Sequence, residues 1–417
     1  MDQPSGDRLA MLYRISQTLI STLDLREVLN RVMDEVIAVT RAERGFLMLR
    51  GQDGSLAFRA ARGIEQQTIE EPEFQVSRGI VERVAVEGKP LLTSDAQLDP
   101  LLGGRASVRL IGLRAVMCVP LVLKGTIQGV VYVDSRLQSG VFSSEDLELL
   151  AGIASSAAIA IDNARLYQVA VEKGRMEREL QMAREVQASL IPQSAPRVPG
   201  WEFAGWWQPA REVSGDFYDF VPFGDGHTGL VIGDVTDKGM PAALFMAHAR
   251  SIVRACAGAA SDALSAVRAA NATLCAETTN GMFVTLCLAH LEPASGRLAY
   301  VNAGHNPPLH WDHDRKALQP FGRPGLPLAI EASAAYAEGV AEIEPGDLVI
   351  LYTDGVTDAT NSGGELFGLD RLQSVVARYA DASAEEVREK LRSAMAEFIG
   401  PAAPYDDVTF LIARRLN

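Results

Sequence analysis

The chain has 417 residues, 47% of them hydrophobic and 22% charged, with a formal net charge of −14. That length suits two to three domains with full cores and excludes a disordered chain; the acidic balance argues against nucleic acid as a partner, which needs a basic face. No run approaches the ~20 apolar residues of a membrane span, and the start, Met1-Asp2-Gln3-Pro4-Ser5-Gly6-Asp7, is unlike a signal peptide, so a cytoplasmic protein with no membrane partner is expected.

Residues 1–165 read as one α/β unit. Asp24-Leu25-Arg26-Glu27 opens a helix through Val39 as a capping-box-like start. Strands follow at Arg44–Arg50 and Leu56–Ala61, joined by the hairpin signal Gly51-Gln52-Asp53-Gly54. Ser77 is placed to cap a helix through Glu87, and the strands Ala115–Leu123 and Thr126–Asp134 flank a tight turn at Lys124-Gly125. Cys118, Cys256, Cys275 and Cys287 show no C-x-x-C spacing, so reduced, buried thiols are expected rather than a zinc knuckle or a redox pair.

From Ser144 to Ile191 there is no proline, and apolar or small residues recur at three-four spacing: Leu147, Leu150, Ala154, Ala157, Ile161 and Ala164, then Met176, Leu180, Ala183, Val186 and Leu190. One helix of ~45 residues would span ~70 Å, too long for a single compact domain, and Pro192 stops it. Such a stripe suits a connector paired with a second copy of itself, as in a two-stranded coiled coil. Two ordinary helices broken at Gly174 would also satisfy the pattern.

Residues 196–417 form a second α/β unit, with strands at Phe203–Gln208, Asp216–Pro222, Leu230–Asp234, Phe283–Leu291, Leu298–Asn302, Leu348–Thr353 and Val408–Ala413. The clearest helices are Pro241–Ala257, Ala263–Glu277, Leu369–Tyr379 and Ala384–Phe398, the last with a capping box from Ser383 and Glu386. Four acidic patterns sit against these apolar runs: Ser214-Gly215-Asp216-Phe217-Tyr218-Asp219, Gly233-Asp234-Val235-Thr236-Asp237-Lys238-Gly239, Tyr352-Thr353-Asp354-Gly355-Val356-Thr357-Asp358 and Tyr405-Asp406-Asp407-Val408-Thr409. A lone Asp before Gly is more often a turn residue. Four such acids at strand ends are harder to read as turns, because gathered carboxylates repel unless a hard cation with oxygen ligands holds them. A hairpin turning at Gly224-Asp225-Gly226 brings Asp216 and Asp234 close enough to share a metal; Val235 can lend a backbone carbonyl, and Gly355 lets the backbone turn tightly beside Asp354. Metals so held lower the pKa of bound water, orient it and stabilise charge on a phosphoryl group.

In order along the chain, SGDFYD, GDVTDKGMPAAL, NAGHNPP, YTDGVTDA and DDVTF resemble the bacterial branch of the metal-dependent protein phosphatases, typified by stage II sporulation protein E and the phosphatases that control stress sigma factors. The resemblance implies a β-sandwich flanked by helices and hydrolysis of phosphoserine or phosphothreonine with two Mn²⁺ or Mg²⁺ ions. On this chain the implied metal ligands are Asp216, Asp234, Asp354 and Asp406, with the catalytic water on metals held by Asp216 and Asp234. Asp407 is implied as a structural partner and Asp358 as a holder of an additional, weaker metal. Asp237 stands where many relatives have Gly, as a water-mediated ligand or a change of loop. Arg211 falls at the offset of a phosphate-clamping arginine. His305, in a Gly/Asn/Pro turn, is expected to bond structurally rather than catalyse. The implied substrate is a phosphorylated protein like an anti-anti-sigma factor.

The first half resembles a GAF domain through its helix–strand order, through Leu92-Thr93-Ser94-Asp95-Ala96 with Asp99-Pro100, and through Val116-Met117-Cys118-Val119-Pro120-Leu121. Which ligand it takes, if any, is not written in the residues; the signature of cyclic-nucleotide binders is not recognisable, and Cys118 suits core packing rather than bilin attachment. The segment Glu179–Pro192 resembles the helix that precedes the phosphatase core in sigma-regulating relatives, where it belongs to a dimerising switch. The expected layout is thus a GAF-like sensor at 1–165, a helical connector at 166–195 and a phosphatase domain at 196–417, with a homodimer through the sensor and connector. A catalytically silent scaffold of the same fold remains as an alternative, and so does a nucleotide cyclase-type enzyme, which would leave the third and fourth acidic patterns unexplained.

Overall fold

The computed structural model describes residues 3–51, 53–63, 67–69, 76–97, 112–223, 227–278, 281–322, 325–402 and 404–416. It divides into two compact units, Met1–Arg175 and Met176–Asn417.

In the first unit α1 (Gln3–Ile20) and α2 (Leu25–Thr40) precede a five-stranded antiparallel sheet of order β2-β1-β5-β4-β3. The strands are β1 (Arg44–Arg50), β2 (Leu56–Gly63), β3 (Leu91–Thr93), β4 (Ala115–Leu123) and β5 (Thr126–Ser135), with α3 (Arg78–Glu87) between β2 and β3. Alternation assigns each strand two faces. Leu47, Met117, Val119, Val131 and Val133 pack with α1, α2 and the first half of α4 (Ser144–Leu190), whereas Phe46, Met48, Cys118, Val130 and Tyr132 pack with Ile80, Val81 and Val84 of α3. Cys118 is fully buried and burial pushes its thiol pKa up, as core packing requires. Asp24 caps α2 by accepting from Glu27 N at 3.0 Å. Ser77 stands at the N-cap of α3 but its hydroxyl caps nothing. α1, with Pro4, Ser5 and Gly6 in its first turn, was not expected from the sequence, nor was β3. The residues Asp99-Pro100 lie outside the described residues.

α4 is continuous over 47 residues and Gly174 does not break it; the boundary between the units falls within it. By length and composition it is the one described helix apolar enough to cross a membrane, with 44% of its most apolar 18-residue window buried inside the protein.

The second unit stacks two five-stranded sheets. One has the order β13-β10-β9-β8-β7 and the other β12-β11-β14-β15-β6. The strands are β6 (Trp201–Gln208), β7 (Phe217–Pro222), β8 (Thr228–Val235), β9 (Val284–Glu292), β10 (Arg297–Ala303), β11 (Leu309–Asp312), β12 (Ala317–Pro320), β13 (Gly339–Glu342), β14 (Leu348–Tyr352) and β15 (Val408–Arg415). Val349, Leu351, Leu411 and Ala413 point into a core shared with β7–β10 and with α5 (Met240–Ala259) and α6 (Ala263–Glu277). Their alternates Leu348, Ile350, Phe410 and Ile412 point the other way, against α8 (Gly368–Tyr379) and α9 (Ala384–Ile399). The result is a β-sandwich flanked by helices. Ser383 caps α9 through Glu386 N at 3.2 Å. The four-residue strands β11, β12 and β13 are additions to the expected set, and the turn at Gly224-Asp225-Gly226 lies outside the described residues.

A candidate metal centre

Antiparallel pairing decides where the acids meet. Phe217 pairs with Gly233, so the start of β7 and the end of β8 share one edge of their sheet. Tyr352 pairs with Phe410, so the end of β14 and the start of β15 share an edge of the other. Asp216 precedes β7, Asp234 lies near the end of β8, Asp354 opens the short α7 (Asp354–Thr357) directly after β14, and Asp406 and Asp407 precede β15.

These carboxylates feel one another. Asp216 is 2% exposed, and burial, then the charges of Asp234 and Asp407, hold its pKa well above the ordinary carboxylate range. Burial and then Asp354 push Asp234 up to about 7, while a hydrogen bond to Asp216 works the other way. Asp354 is raised by burial, then by Asp406 and Asp358. A hydroxyl steadies the first acid: Thr353 Oγ1 donates to Asp216 Oδ2 at 2.7 Å and accepts from Thr409 N at 3.1 Å. Buried like charges of this kind are tolerated when protonated or when a cation lies among them, and the all-oxygen donor set suits a hard divalent ion. As they stand, no three His, Cys, Asp or Glu side chains among the described residues are closed into a metal-holding group. Asp406 is turned instead to Lys238, whose Nζ lies 2.8 Å from its Oδ2 and 4.9 Å from the centre of the Tyr405 ring.

The two neighbouring acids of the last motif have different surroundings. Asp407 Oδ1 accepts from Ala210 N at 2.7 Å, and its Oδ2 accepts from Ser214 Oγ and Gly215 N, both at 2.8 Å. It staples the segment before β15 to the loop carrying Asp216, which leaves Asp406 as the freer carboxylate. Val235 N donates to Gly215 O at 3.3 Å. Asp358 follows α7, with its N–H donating to Asp354 O at 2.7 Å. Asp237 has φ 73°, the left-handed region that favours glycine, which gives a backbone reason for the Gly that the resemblance puts at this position. Gly355 has no positive φ among the described residues. Its need is spatial: a Cβ would lie 1.9 Å from Asp407 O, so the tight-turn explanation is replaced by close approach of the next strand.

Arg211 lies on an exposed bend after β6, and no described contact joins it to the acids. His305 is 3% exposed, its Nδ1 lies 2.8 Å from Thr285 Oγ1, and burial lowers its pKa to about 4. It is a neutral, enclosed ring. Thr353, Ser214 and Lys238 sit inside the acidic motifs, and attention to the acids alone passed over them. A cleft of about 600 Å³ lies elsewhere, in the first unit between β1, β2 and α3.

Residues 224–416 match the family model described as stage II sporulation protein E, and residues 22–162 match a GAF domain model. Asp234, Asp354 and Asp406 fall inside the first match and Asp216 just before it. Protein IcfG of Synechocystis sp. is 30% identical over 274 residues, which is 59% of this chain and 43% of that protein. Phosphoserine phosphatase RsbU of Bacillus subtilis is 25% identical over 57% of this chain and 70% of its own length. Among solved structures, the SiaA-PP2C domain of Pseudomonas aeruginosa superimposes with a TM-score of 0.54 at 21% identity, over 60% of this chain and 100% of that one, a likeness of fold. The chain thus spans less than half the length of the Synechocystis relative.

Proposed function

Since the chain joins a GAF domain to a domain of the stage II sporulation protein E type, we propose that it is a metal-dependent serine/threonine protein phosphatase of the cytoplasm. The observation that carries this reading is the convergence of four acid-bearing segments on one edge of two facing sheets. Asp216, Asp234, Asp354 and Asp406, with the Val235 carbonyl, would hold two Mn²⁺ or Mg²⁺ ions, and Asp358 or Asp237 a further one. Once bound, such ions supply a nucleophilic water and positive charge for the phosphoryl group. The protein's own part is to gather and aim the carboxylates. Thr353 fixes one Asp216 oxygen, Asp407 ties the Asp216 loop to β15, and Lys238 must yield Asp406 for that acid to serve as a ligand. Arg211, exposed and with no described partner, is free to reach a substrate phosphate.

The substrate in this reading is a phosphorylated regulatory protein like an anti-anti-sigma factor; the name of the Bacillus subtilis relative, a phosphoserine phosphatase, supports its phosphoserine part alone. Residues 1–165 serve as the sensor, 166–195 as the connector and 196–417 as the phosphatase, with two copies paired through sensor and connector. The sensor's ligand is left open. Lys238 on Asp406 favours one competing reading, a silent scaffold whose acids never close on metal. Hydrolysis of a phosphoserine peptide with and without Mn²⁺ separates the two. The enzyme turns over with Mn²⁺ and stops with chelator, and Asp216→Asn or Asp354→Asn loses ~10²-fold or more in turnover. Metal-independent hydrolysis, or none at any Mn²⁺ concentration, removes the assignment.

A further inference from the structure

Among the described residues Gln187 is the one buried polar side chain of α4, 5% exposed on a stretch where Val186 and Met182 are more than 60% exposed. Its amide makes three bonds in two directions. Nε2 donates to Ser214 O at 2.9 Å and to Ala243 O at 3.2 Å, while Oε1 accepts from Ser214 N at 3.1 Å. Ser214 is thereby gripped by both backbone groups. The same residue's Oγ donates to Asp407 Oδ2 at 2.8 Å and accepts from Asp216 N at 3.0 Å. Ala243 lies in the first turn of α5, the helix that follows the loop after Asp234. One amide therefore spans the segment that aims Asp216 and the segment downstream of Asp234.

We propose that Gln187 is a positioning residue for the metal centre: it fixes the Ser214 backbone, and through it the Asp216 carboxylate, relative to α5. The inference rests on the phosphatase reading and deepens it. An amide is the group the place requires, because it must donate to two carbonyls and accept from one N–H at once. Glutamate of the same length keeps the acceptor but sets an anion against two carbonyl oxygens; methionine of similar volume offers none of the three bonds.

The test is Mn²⁺ titration of the full chain, following the loss of free Mn²⁺ signal by electron paramagnetic resonance, alongside p-nitrophenyl phosphate kinetics. Gln187→Met is expected to bind Mn²⁺ roughly 10- to 100-fold more weakly, the range for residues that orient metal ligands. Its kcat should recover as Mn²⁺ is raised, and KM for the ester should stay put. Gln181→Met, exposed on the same helix, should bind Mn²⁺ as the wild type does. Wild-type Mn²⁺ affinity in Gln187→Met, or lost activity that no Mn²⁺ concentration restores, overturns the inference and leaves the phosphatase reading standing. A wild type that binds no Mn²⁺ removes both. Should Gln187→Met not fold, Gln187→Glu is read by the same criteria.

Discussion

Asp406 and Asp407 are adjacent in sequence and alike in chemistry, yet three donors from the Asp216 side hold Asp407, while Asp406 takes one ammonium and the Asp407 N–H, and this divides their work. Asp407→Ala leaves Ala210 N, Ser214 Oγ and Gly215 N without their acceptor, so it should lower the melting temperature measurably. Asp406→Ala should leave melting nearly unchanged while weakening Mn²⁺ binding; equal melting temperatures for the two variants would refute the division. His305 gives a pH prediction. Its folded pKa of about 4 lies below the ordinary 6.5, so its burial costs nothing above pH ~6.5. Stability is lost as pH falls from there and levels off near 4, by up to roughly 3 kcal/mol. The buried acids, with raised pKa values, act with the opposite sign, so the check is a difference: the stability of the wild type relative to His305→Gln should fall as pH drops through that window. At this scale the acids were legible because strand-end carboxylates are costly without a purpose. Gln187 was not, since one glutamine on a helical stripe carries no signal until its partners, Ser214 and Ala243, are brought to it by the fold.

Among the elements, the strands bearing the acids and the helices covering them were readable from alternation and caps. The short β11, β12 and β13 were not, because four residues around His310-Trp311 or Gly339-Val340 hold too little pattern and take their strand form from neighbours in the sheet. α1 was hidden by a first turn of Pro, Ser and Gly, which favours loops elsewhere. The second half of α4 leaves Met176, Met182 and Val186 exposed by 60%, 66% and 64%. Three large apolar side chains on one short stretch suit a helix–helix seam. Leu180→Glu with Val186→Glu sets like charges in that seam. The wild type is expected to sediment as a dimer at micromolar concentration and the double variant as a monomer; a wild-type monomer would reduce the segment to a tether.

For the molecule as a whole, each unit has its own core, and the acids all belong to the second. Residues 176–417 produced alone should therefore melt cooperatively and keep Mn²⁺-dependent hydrolysis, measured on p-nitrophenyl phosphate; a fragment that folds but is inactive at any Mn²⁺ concentration would mean the first unit is needed for the chemistry itself. The pairing of β15 has a consequence for how such a molecule comes into being. β15 lies between β14 and β6, and its partners on β6 were made roughly 200 residues earlier. Contacts that distant close slowly, because the intervening chain must be ordered first. During synthesis β6 waits with an unpaired edge while its own sheet is incomplete, a state open to wrong pairing. Asp354, Asp406 and Asp407 are also made after Asp216 and Asp234, so the proposed metal centre cannot be completed before β15 inserts. In the proposed reading, activity therefore waits on one long-range pairing, that of β15 with β6.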